Sequence, residues 1–326
     1  MSDILVAHNA VSTDDDLSTQ DVLAQVGFVT EALAALKARY RVVAVGADGV
    51  DVESVNGAKT VVNLVESPPG LPVFQSEVAA DFERLGLRIT GSSAAAIQAT
   101  TDKEATRRIL AENGLAVAPG GLLDPDHPAA LDRVPPPWIL KPALEDASLG
   151  LDDGAVTSDR AQAVARARDL RRRFGGQDVL VEHLLPGREF NVAILDGDSG
   201  PEVLPPAEMT YVDFPPDRPR ILGWEAKWDQ SSFAYRNTVR HFLDDDESAL
   251  SDELARVAHR AWTACGLAGY GRIDIRLDDD GRPCVLEVNA NPCISPDAGF
   301  AAAAAAAGIE PTEVVRRILT AAGWSP

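Results

Sequence analysis

A predicted β-hairpin near the C-terminus constrains the fold most strongly. Residues 271–274 read Gly-Arg-Ile-Asp and residues 287–289 read Glu-Val-Asn, with Asp280-Gly281 between them. An Asp-Gly pair flanked by alternating apolar residues is a strong signal for a tight hairpin turn. The two segments are therefore expected to pair as antiparallel strands. The alternating apolar residues are expected to share one face that packs on a core: Ile273, Ile275, Leu277, Cys284, Leu286 and Val288.

The opposite face of this hairpin carries polar side chains. With the turn at the Asp-Gly pair, Asp274 faces Glu287 and Arg272 faces Asn289. Two carboxylates directly opposite each other lie about 5 Å apart and repel unless a positive charge lies between them. Mg²⁺ takes oxygen ligands, commonly one or two carboxylates with substrate phosphates, and the Asn289 amide oxygen is a further candidate. The pattern thus predicts a Mg²⁺ site, and a solvated acidic hairpin is the alternative.

Composition narrows the classes of partner and location. The 326 residues carry a formal net charge of −20, which disfavours nucleic acid and anionic membranes as partners, because these bind basic surfaces. No apolar run reaches the roughly 18 residues of a membrane span, and residues 1–7 read as a first strand instead of a signal peptide, so we expect a cytoplasmic protein. The three cysteines lack CxxC spacing and indicate neither a disulfide framework nor a zinc site.

Alternating strand and helix patterns predict a first domain over residues 1–100. This alternation is typical of a parallel sheet covered by helices. The chain length suggests two or three domains around a common cleft. The predicted strands are residues 4–8, 41–46, 61–65 and 88–90, and the predicted helices are residues 22–40 and 78–85.

A second domain is predicted over residues 101–185. Thr101-Asp102 opens a basic helix that carries Lys103, and Lys141 ends an apolar strand and is a candidate phosphate ligand. Residues 145–156 are expected to form two strands joined by a loop of small residues. The GxxxxGK[ST] pattern is absent, which excludes a P-loop. Further elements are expected at residues 159–174 (helix), 178–182 (strand) and 189–195 (strand).

The third predicted domain, residues 186–326, contains a long segment of poor periodicity. Residues 201–246 are rich in proline, and a long irregular segment in a compact protein is typically a functional loop or lid. Within it Lys227 is a candidate cation that closes on a phosphate. Further helices are expected at residues 251–265, with Ser251 as the cap, and at residues 301–307 and 312–322.

Six motifs occur in an order that resembles the ATP-grasp superfamily and, within it, the D-alanine:D-alanine ligases. None is specific alone, but their order and spacing extend over nearly the whole chain. The resemblance implies an α/β (α+β ATP-grasp) enzyme of three domains, with ATP held between the central and C-terminal domains. The motifs are residues 141–142, 145–150, 182–189, 225–227, 271–274 and 287–289.

The resemblance also implies a reaction and residue roles. A carboxylate attacks the γ-phosphate of ATP to give an acyl phosphate and ADP, and an amine then displaces phosphate to give an amide. Arg272 would stabilise the oxyanion of the intermediate, and Asp274, Glu287 and Asn289 would hold two Mg²⁺ ions, for which Mn²⁺ can substitute. The implied ATP contacts are Lys103 and Lys141 with phosphates, Ser148 in the small-residue loop, Glu182 and Leu185 with adenine, Glu189 with ribose and Lys227 with the γ-phosphate.

The chain departs from the D-alanine ligases where these bind substrate. Residues 8–14 lack the glycines and the glutamate of the HGGxSxE signature, and Ala147 and Trp228 replace a serine and a tyrosine that pair in the family. Asp297 lies at the position of a Ser-Leu pair that holds the second substrate's carboxylate. An acid there disfavours a carboxylate, so we expect an acceptor amine without one near Asp297. Glu66 is a candidate for contact with the first substrate or, equally, for a turn cap.

These patterns favour an ATP-dependent carboxylate–amine ligase that makes an amide in the biosynthesis of a peptide-like or amino-acid-derived metabolite. The expected partners are an amino acid or peptide and an amine, and the expected assembly is a homodimer. An authentic D-alanine:D-alanine ligase of cell-wall synthesis is the first alternative. A non-catalytic nucleotide-binding module is the second, and the complete set of Arg272, Asp274, Glu287 and Asn289 argues against it. A dinucleotide oxidoreductase would need GxGxxG after the first strand, which is absent.

Overall fold

The chain folds around three β-sheets. The structure, a computed structural model, describes residues 4–12, 17–197 and 199–325. Residues 1–3, which the sequence assigns to the first strand, lie outside the described residues. So do Thr13 and Asp14, which are part of the segment that lacks the HGGxSxE signature. No helix in these ranges is long and apolar enough to cross a membrane.

The first sheet is parallel, as predicted, with β1 between β2 and β3 and with β4 beyond β3. Helix α2 ends earlier than predicted, and Lys37 just beyond it has a left-handed φ of 54°. Helix α4 begins four residues before the predicted start at Val78. The elements are β1 (Ile4–Asn9), α1 (Leu17–Gln20), α2 (Val22–Ala35), β2 (Tyr40–Val45), α3 (Val52–Val55), β3 (Thr60–Leu64), α4 (Phe74–Arg84), β4 (Arg88–Ile89) and α5 (Ala94–Thr101).

The second sheet is antiparallel, with strand order β5-β8-β6-β7. The prediction of two strands within residues 145–156 is wrong, because only β7 forms at its end. Ala147, Ser148 and Gly150 have φ values of 53°, 60° and 77°, and this left-handed backbone cannot continue a strand. The elements are α6 (Lys103–Glu112), β5 (Gly120–Leu122), a 3₁₀ turn (Ala129–Asp132), β6 (Trp138–Pro142), a 3₁₀ turn (Asp153–Ala155), β7 (Val156–Thr157), α7 (Arg160–Arg173) and β8 (Val179–His183).

The third sheet has the order β12-β11-β9-β13-β14, and β10 pairs with β9. Residues 201–246 are more regular than predicted, because they contain strands β11 and β12, most of β10, and two short helices. Helix α10 begins at Ser248 and not at Ser251. The elements are β9 (Glu189–Gly197), β10 (Gly200–Val203), β11 (Ala207–Tyr211), α8 (Trp224–Trp228), α9 (Phe233–Asn237), β12 (Thr238–Phe242), a 3₁₀ turn (Asp245–Glu247), α10 (Ser248–Cys265), β13 (Tyr270–Leu277), β14 (Pro283–Asn289), α11 (Gly299–Ala306) and α12 (Pro311–Ala321).

The hairpin of β13 and β14 has the predicted pairing at its functional end. Asp274 faces Glu287 and Arg272 faces Asn289. Both pairs therefore lie on one face of the third sheet, as expected from the sequence.

Toward the turn the predicted register is wrong by one residue. A β-bulge after Asp274 places Ile275 opposite Val285 instead of Leu286. The extra residue on β14 changes which side chains reach the core. Val285 joins the buried cluster around Ile273 and Ile275, whereas Leu286 packs in a separate small cluster with Cys284.

Helix α10 covers the apolar face of this hairpin. Its predicted stripe, which includes Leu254, Ala258 and Trp262, is buried against Ile273 and Ile275. Because one face of the sheet is used for this core, the alternating side chains on the other face, including those of the two pairs above, remain available to a cavity.

Candidate active site

A cavity of about 880 Å³ lies over the polar face of the third sheet. Its walls come from distant parts of the chain. Asp21 and Glu66 line it from the first sheet's side, Asp146 from the loop after β6, Lys227 from α8, and Glu287 from β14. The fold therefore gathers residues from all three predicted domains at one place.

Asp274 is held by two neighbours on the polar face. Its carboxylate accepts hydrogen bonds from Arg272 Nε at 2.7 Å and Nη2 at 3.0 Å, and from Asn191 Nδ2 at 2.7 Å. Only 6% of Asp274 is exposed. These bonds fix the orientation of the carboxylate on the polar face.

Nearby cations lower the pKa of Glu287. Burial acts to raise its pKa, but the ammonium groups of Lys103 and Lys227 prevail, with a contribution from Lys141, and lower the pKa to about 2. Lys103 Nζ lies 3.4 Å from Glu287 Oε1. The cations thus keep Glu287 charged at any physiological pH.

The oxygen atoms of this corner suit a hard divalent cation. Asp274, Glu287 and Asn289 supply carboxylate and amide oxygens, the ligand types that Mg²⁺ prefers. Asn289 Oδ1 accepts one hydrogen bond, from the Asn291 N–H at 3.0 Å, and retains a second lone pair. In the described residues no group of three or more His, Cys, Asp or Glu side chains is placed to hold a metal. A Mg²⁺ ion here would therefore need other oxygens, such as nucleotide phosphates.

Lys103, Lys227 and Arg272, all predicted site residues, lie close to Glu287. Lys103 is buried on α6 and also approaches Asp146 Oδ1 at 3.3 Å. Lys227 lies on α8, where burial and the Arg272 guanidinium lower its pKa. Carboxylates that include Glu287 act in the opposite direction, but none of the described residues forms an ion pair with Lys227, so its ammonium is placed to attract an anionic ligand.

The residues predicted to contact adenine and ribose lie outside the lining of this cavity. Glu182 is only 2% exposed and accepts from Lys141 Nζ at 2.7 Å. Leu185 is buried in a small apolar cluster. Glu189 accepts from the Tyr211 hydroxyl at 2.9 Å and from Arg276 at 3.2 Å. Lys141 is therefore paired with Glu182, and the contacts of these residues with a nucleotide stay predictions.

The predicted lid, residues 201–246, is joined by hydrogen bonds to the small-residue loop within residues 145–156. The Ser148 hydroxyl donates to the Leu222 carbonyl at 2.8 Å, and Trp228 Nε1 donates to the Ala147 carbonyl at 3.2 Å. The serine–tyrosine pair of the D-alanine ligases is absent, as the sequence indicates. These two side chain-to-backbone bonds connect the same two segments in its place.

The cavity wall opposite the lid is acidic. Glu66 accepts from Gln25 Nε2 at 2.7 Å, and burial raises its pKa to about 7, helped by the charges of Asp21 and Asp146. Cys293 Sγ lies 2.8 Å from Asp21, and burial raises the pKa of this thiol, so it is not a thiolate nucleophile. Glu66 thus faces the cavity through its side chain instead of capping a turn.

Asp297 has a basic neighbour that sequence reasoning missed. Asp297 accepts from the Ser295 hydroxyl at 3.0 Å. Arg240 on β12 lines the same cavity, close enough to Asp297 for their charges to interact. Asp297 alone would disfavour a carboxylate at this end of the cavity, but the positive charge of Arg240 opposes that effect. The signal for a strand in residues 238–242 is weak, because only Val239 and Phe242 are apolar and they do not alternate.

Comparisons with known proteins agree with this geometry. Residues 128–320 match the family model described as the D-ala D-ala ligase C-terminus. The chain is 31% identical to a D-alanine–D-alanine ligase of Bordetella petrii over 74% of its own length and 69% of that protein. It is also 31% identical to the uncharacterized protein y4sG of Sinorhizobium fredii, over 80% of its own length and 74% of the relative.

Solved structures show the same fold. A D-alanine–D-alanine ligase from Bacillus anthracis, complexed with ATP, has a TM-score of 0.75 over 98% of this chain and 96% of that one, at 18% identity. The family match covers more than half of the chain, and the relative from Bordetella covers about three quarters of it. The chain therefore belongs to the D-alanine–D-alanine ligase family of ATP-grasp, ADP-forming ligases.

Proposed function

We propose that this ATP-dependent carboxylate–amine ligase joins an amino acid to an amine through an acyl phosphate, in the biosynthesis of a peptide-like or amino-acid-derived metabolite. The observation that carries the proposal is the facing pair of Asp274 and Glu287, in which Arg272 is bonded to Asp274 and the ammonium groups of Lys103 and Lys227 act on Glu287. Arg272, Lys227 and Glu287 also line the cavity. Phosphoryl transfer depends mainly on positioning and charge neutralisation, and these residues supply both.

The first step transfers the γ-phosphoryl group of ATP to a carboxylate oxygen. Lys103 and Lys227 would bind phosphate oxygens, and Asp274, Glu287 and Asn289 would hold the Mg²⁺ ions. When bound, the ions neutralise part of the phosphate charge. The lid bonds of Ser148 and Trp228 to the neighbouring segments would exclude water, which protects the acyl phosphate from hydrolysis.

The second step forms the amide. The amine nitrogen attacks the acyl carbon and loses a proton to solvent, the bond from that carbon to the phosphate oxygen breaks, and inorganic phosphate leaves with the electron pair. Arg272 would stabilise the tetrahedral oxyanion, because its guanidinium is fixed beside the site by Asp274. Glu66 would face the first substrate, and Asp297 the acceptor.

For ATP, we propose a site between the second and third sheets. Its contacts would be Lys141, Ser148, Glu182, Leu185 and Glu189, of which Glu182 and Glu189 are buried at strands β8 and β9. The proposed domains are residues 1–100, 101–185 and 186–326, supported by one sheet in each. A cytoplasmic location, where ATP is available, and a homodimer complete the proposal.

An authentic D-alanine:D-alanine ligase is the second candidate. It is supported by relatives that carry this name, including that of Bordetella petrii. The chain differs from that candidate at Trp228, which replaces the tyrosine of the family's serine–tyrosine pair, and at Asp297, where the family has a Ser-Leu pair that holds the second substrate's carboxylate. Growth rescue of a strain that lacks D-alanine:D-alanine ligase would favour this candidate.

The test is phosphate release from Mg²⁺-ATP, with mass spectrometry of the products. The enzyme is offered D-alanine alone, then pooled D- and L-amino acids, then the same pools with simple amines. Release that depends on substrate and accompanies an amide supports the proposal. The D-alanyl dipeptide from D-alanine alone would establish the second candidate instead. ATP binding without release in any pool would contradict both and favour the non-catalytic module.

A further inference from the structure

Two orphaned polar atoms, meaning buried atoms without a hydrogen-bond partner, belong to residues that line the active-site cavity. In the described residues only three buried side-chain N or O atoms lack a hydrogen-bond partner, and two of them are Thr238 Oγ1 and Arg240 Nε. Both residues lie on β12 and line the cavity. Residues two apart in a strand point to the same face. Buried polar groups are nearly always satisfied, so a pair of unsatisfied ones on one face indicates an absent ligand.

The two orphaned atoms share a face with the catalytic residues. Arg240 is opposite Met209 on β11, and Met209 is opposite Glu189 on β9. Residues opposite each other on paired strands point to the same side of a sheet. Strand β9 also pairs with β13, where Asn191 faces Asp274. The orphaned groups and the metal-binding candidates therefore lie on one continuous polar face.

Arg240 presents an uncompensated positive charge. No carboxylate of the described residues lies within ion-pair distance of it, although Asp297 interacts with it over a longer range. Burial and the charge of Arg272 lower the pKa of Arg240. Its Nη2 lies 3.6 Å from where a Cβ of Gly299 would be, an ordinary van der Waals distance, so the guanidinium packs beside the start of α11. This end of the cavity therefore favours an anion.

We propose that Arg240 and Thr238 bind the carboxylate of the acceptor substrate, which is then an α-amino acid or a peptide. This inference rests on the proposed ligase function and names its acceptor class. Arg240 would donate charge-assisted hydrogen bonds to the carboxylate, and the Thr238 hydroxyl would donate one more. The proposal reverses the expectation drawn from Asp297 alone. Arg240 Nε lacks a hydrogen-bond partner, whereas the Asp297 carboxylate already accepts a hydrogen bond from Ser295.

The position of Arg240 favours the acceptor over the phosphates of ATP. Lys103 contacts Asp146 and Glu287, whereas Arg240 lies beside Gly299 at the start of α11. Arg272 interacts with both Glu287 and Arg240. A substrate carboxylate at Arg240 would thus lie near Arg272, the residue proposed to stabilise the oxyanion of the second step.

The experiment compares amino acids with their α-carboxamides as acceptors. The amide replaces the carboxylate by a neutral group of similar shape. We measure kcat/KM for each member of a pair with the wild type, with Arg240→Met and Arg240→Lys, and with Thr238→Val. The matched control is Arg236→Met, which removes an exposed arginine four residues earlier.

For the wild type we expect the amino acid to be preferred over its carboxamide. Arg240→Met should reduce that preference by about 10²-fold, because a site built for a polar group discriminates strongly against its loss. Arg240→Lys should restore part of the preference, Thr238→Val should reduce it by about fivefold, and Arg236→Met should leave it unchanged. The KM for ATP should remain within about twofold in every variant.

Two results would overturn the inference. One is a wild-type preference for the carboxamide, and the other is an Arg240→Met variant that loses activity equally with both acceptors or mainly through the KM for ATP. Failure of the proposed function has a different signature, since the wild type would then form no amide from any pair.

Discussion

Lys103 Nζ lies 3.4 Å from Glu287 and 3.3 Å from Asp146, so one buried ammonium connects α6, the loop after β6 and strand β14. Burial acts to lower the pKa of Lys103, but the two carboxylates raise it. The lysine is therefore charged in the free enzyme. It holds the metal-binding candidate Glu287 in its ionised form before any ligand arrives.

Neutralising Glu287 is expected to weaken Mg²⁺ binding. Glu287→Gln keeps the size of the side chain but removes the charge that would hold the ion. We expect the Mg²⁺ concentration for half-maximal phosphate release to rise at least about tenfold, and kcat to fall about 10²-fold or more. The control is Glu313→Gln on α12, where Glu313 pairs with Arg316. An unchanged Mg²⁺ dependence in Glu287→Gln would show that the ion binds elsewhere.

The buried Glu66 should make stability fall as pH rises. Its pKa is about 7 in the folded chain, against 4.5 for an ordinary glutamate. The folded state therefore binds this proton more tightly than the unfolded state. The contribution of Glu66 to stability is fully present below about pH 4.5 and is lost as pH rises through about 7.

Glu66→Gln removes this titration. From pH 5 to pH 8, the wild type should therefore lose up to about 3 kcal/mol of unfolding free energy that the variant does not lose. Urea unfolding at the two pH values measures the change. A difference between variant and wild type that is independent of pH would mean that Glu66 titrates normally.

The lid bonds should control nucleotide affinity. Trp228→Phe keeps an aromatic side chain but removes the donor to the Ala147 carbonyl, which lies 3.2 Å away. The loss of one partly buried hydrogen bond, about 1 kcal/mol, should raise the KM for ATP about fivefold. Limited proteolysis of residues 213–231 should be faster in the variant with ATP present. Equal cleavage rates in both proteins would indicate that the bond does not hold the lid.

A close approach of two glycines tests the packing behind the cavity. Gly269 has a φ of 71°, and a Cβ there would lie 2.9 Å from the backbone of Gly91. Gly269→Ala should lower the free energy of unfolding by about 2–4 kcal/mol, through both strain and collision. Gly86→Ala is the matched control, because Gly86 has a φ of 74° and open space around it. Similar losses in the two variants would exclude the collision.

The sequence predicts the first sheet and the functional end of the hairpin because their signals are local. Apolar runs separated by helical patterns define the parallel strands, and Asp280-Gly281 fixes the approximate turn. The bulge after Asp274 leaves no such signal. One extra residue on a strand is a consequence of how both strands pack, so Leu286 and Val285 exchange places without any change in the apolar pattern.

Arg240 shows why part of the site could not be predicted. It lies on β12, a short edge strand with mixed exposure inside a proline-rich segment, where periodicity is weak. Its importance comes from a missing partner and from the nearby Arg272, which are properties of the folded chain. By contrast, Lys227 and Glu287 belong to the ordered motifs and the resemblance implies Lys103 as a phosphate contact, so the approach of the two lysines to Glu287 could be expected from it.

The most direct test of the account follows oxygen from substrate to product. The carboxylate substrate is labelled with ¹⁸O, and the phosphate and nucleotide products are analysed by mass spectrometry after turnover with Mg²⁺-ATP and an amine. An acyl phosphate predicts one ¹⁸O transferred to inorganic phosphate for each amide formed, with unlabelled ADP as the nucleotide. Label found in AMP, or amide formation without labelled phosphate, would contradict the account.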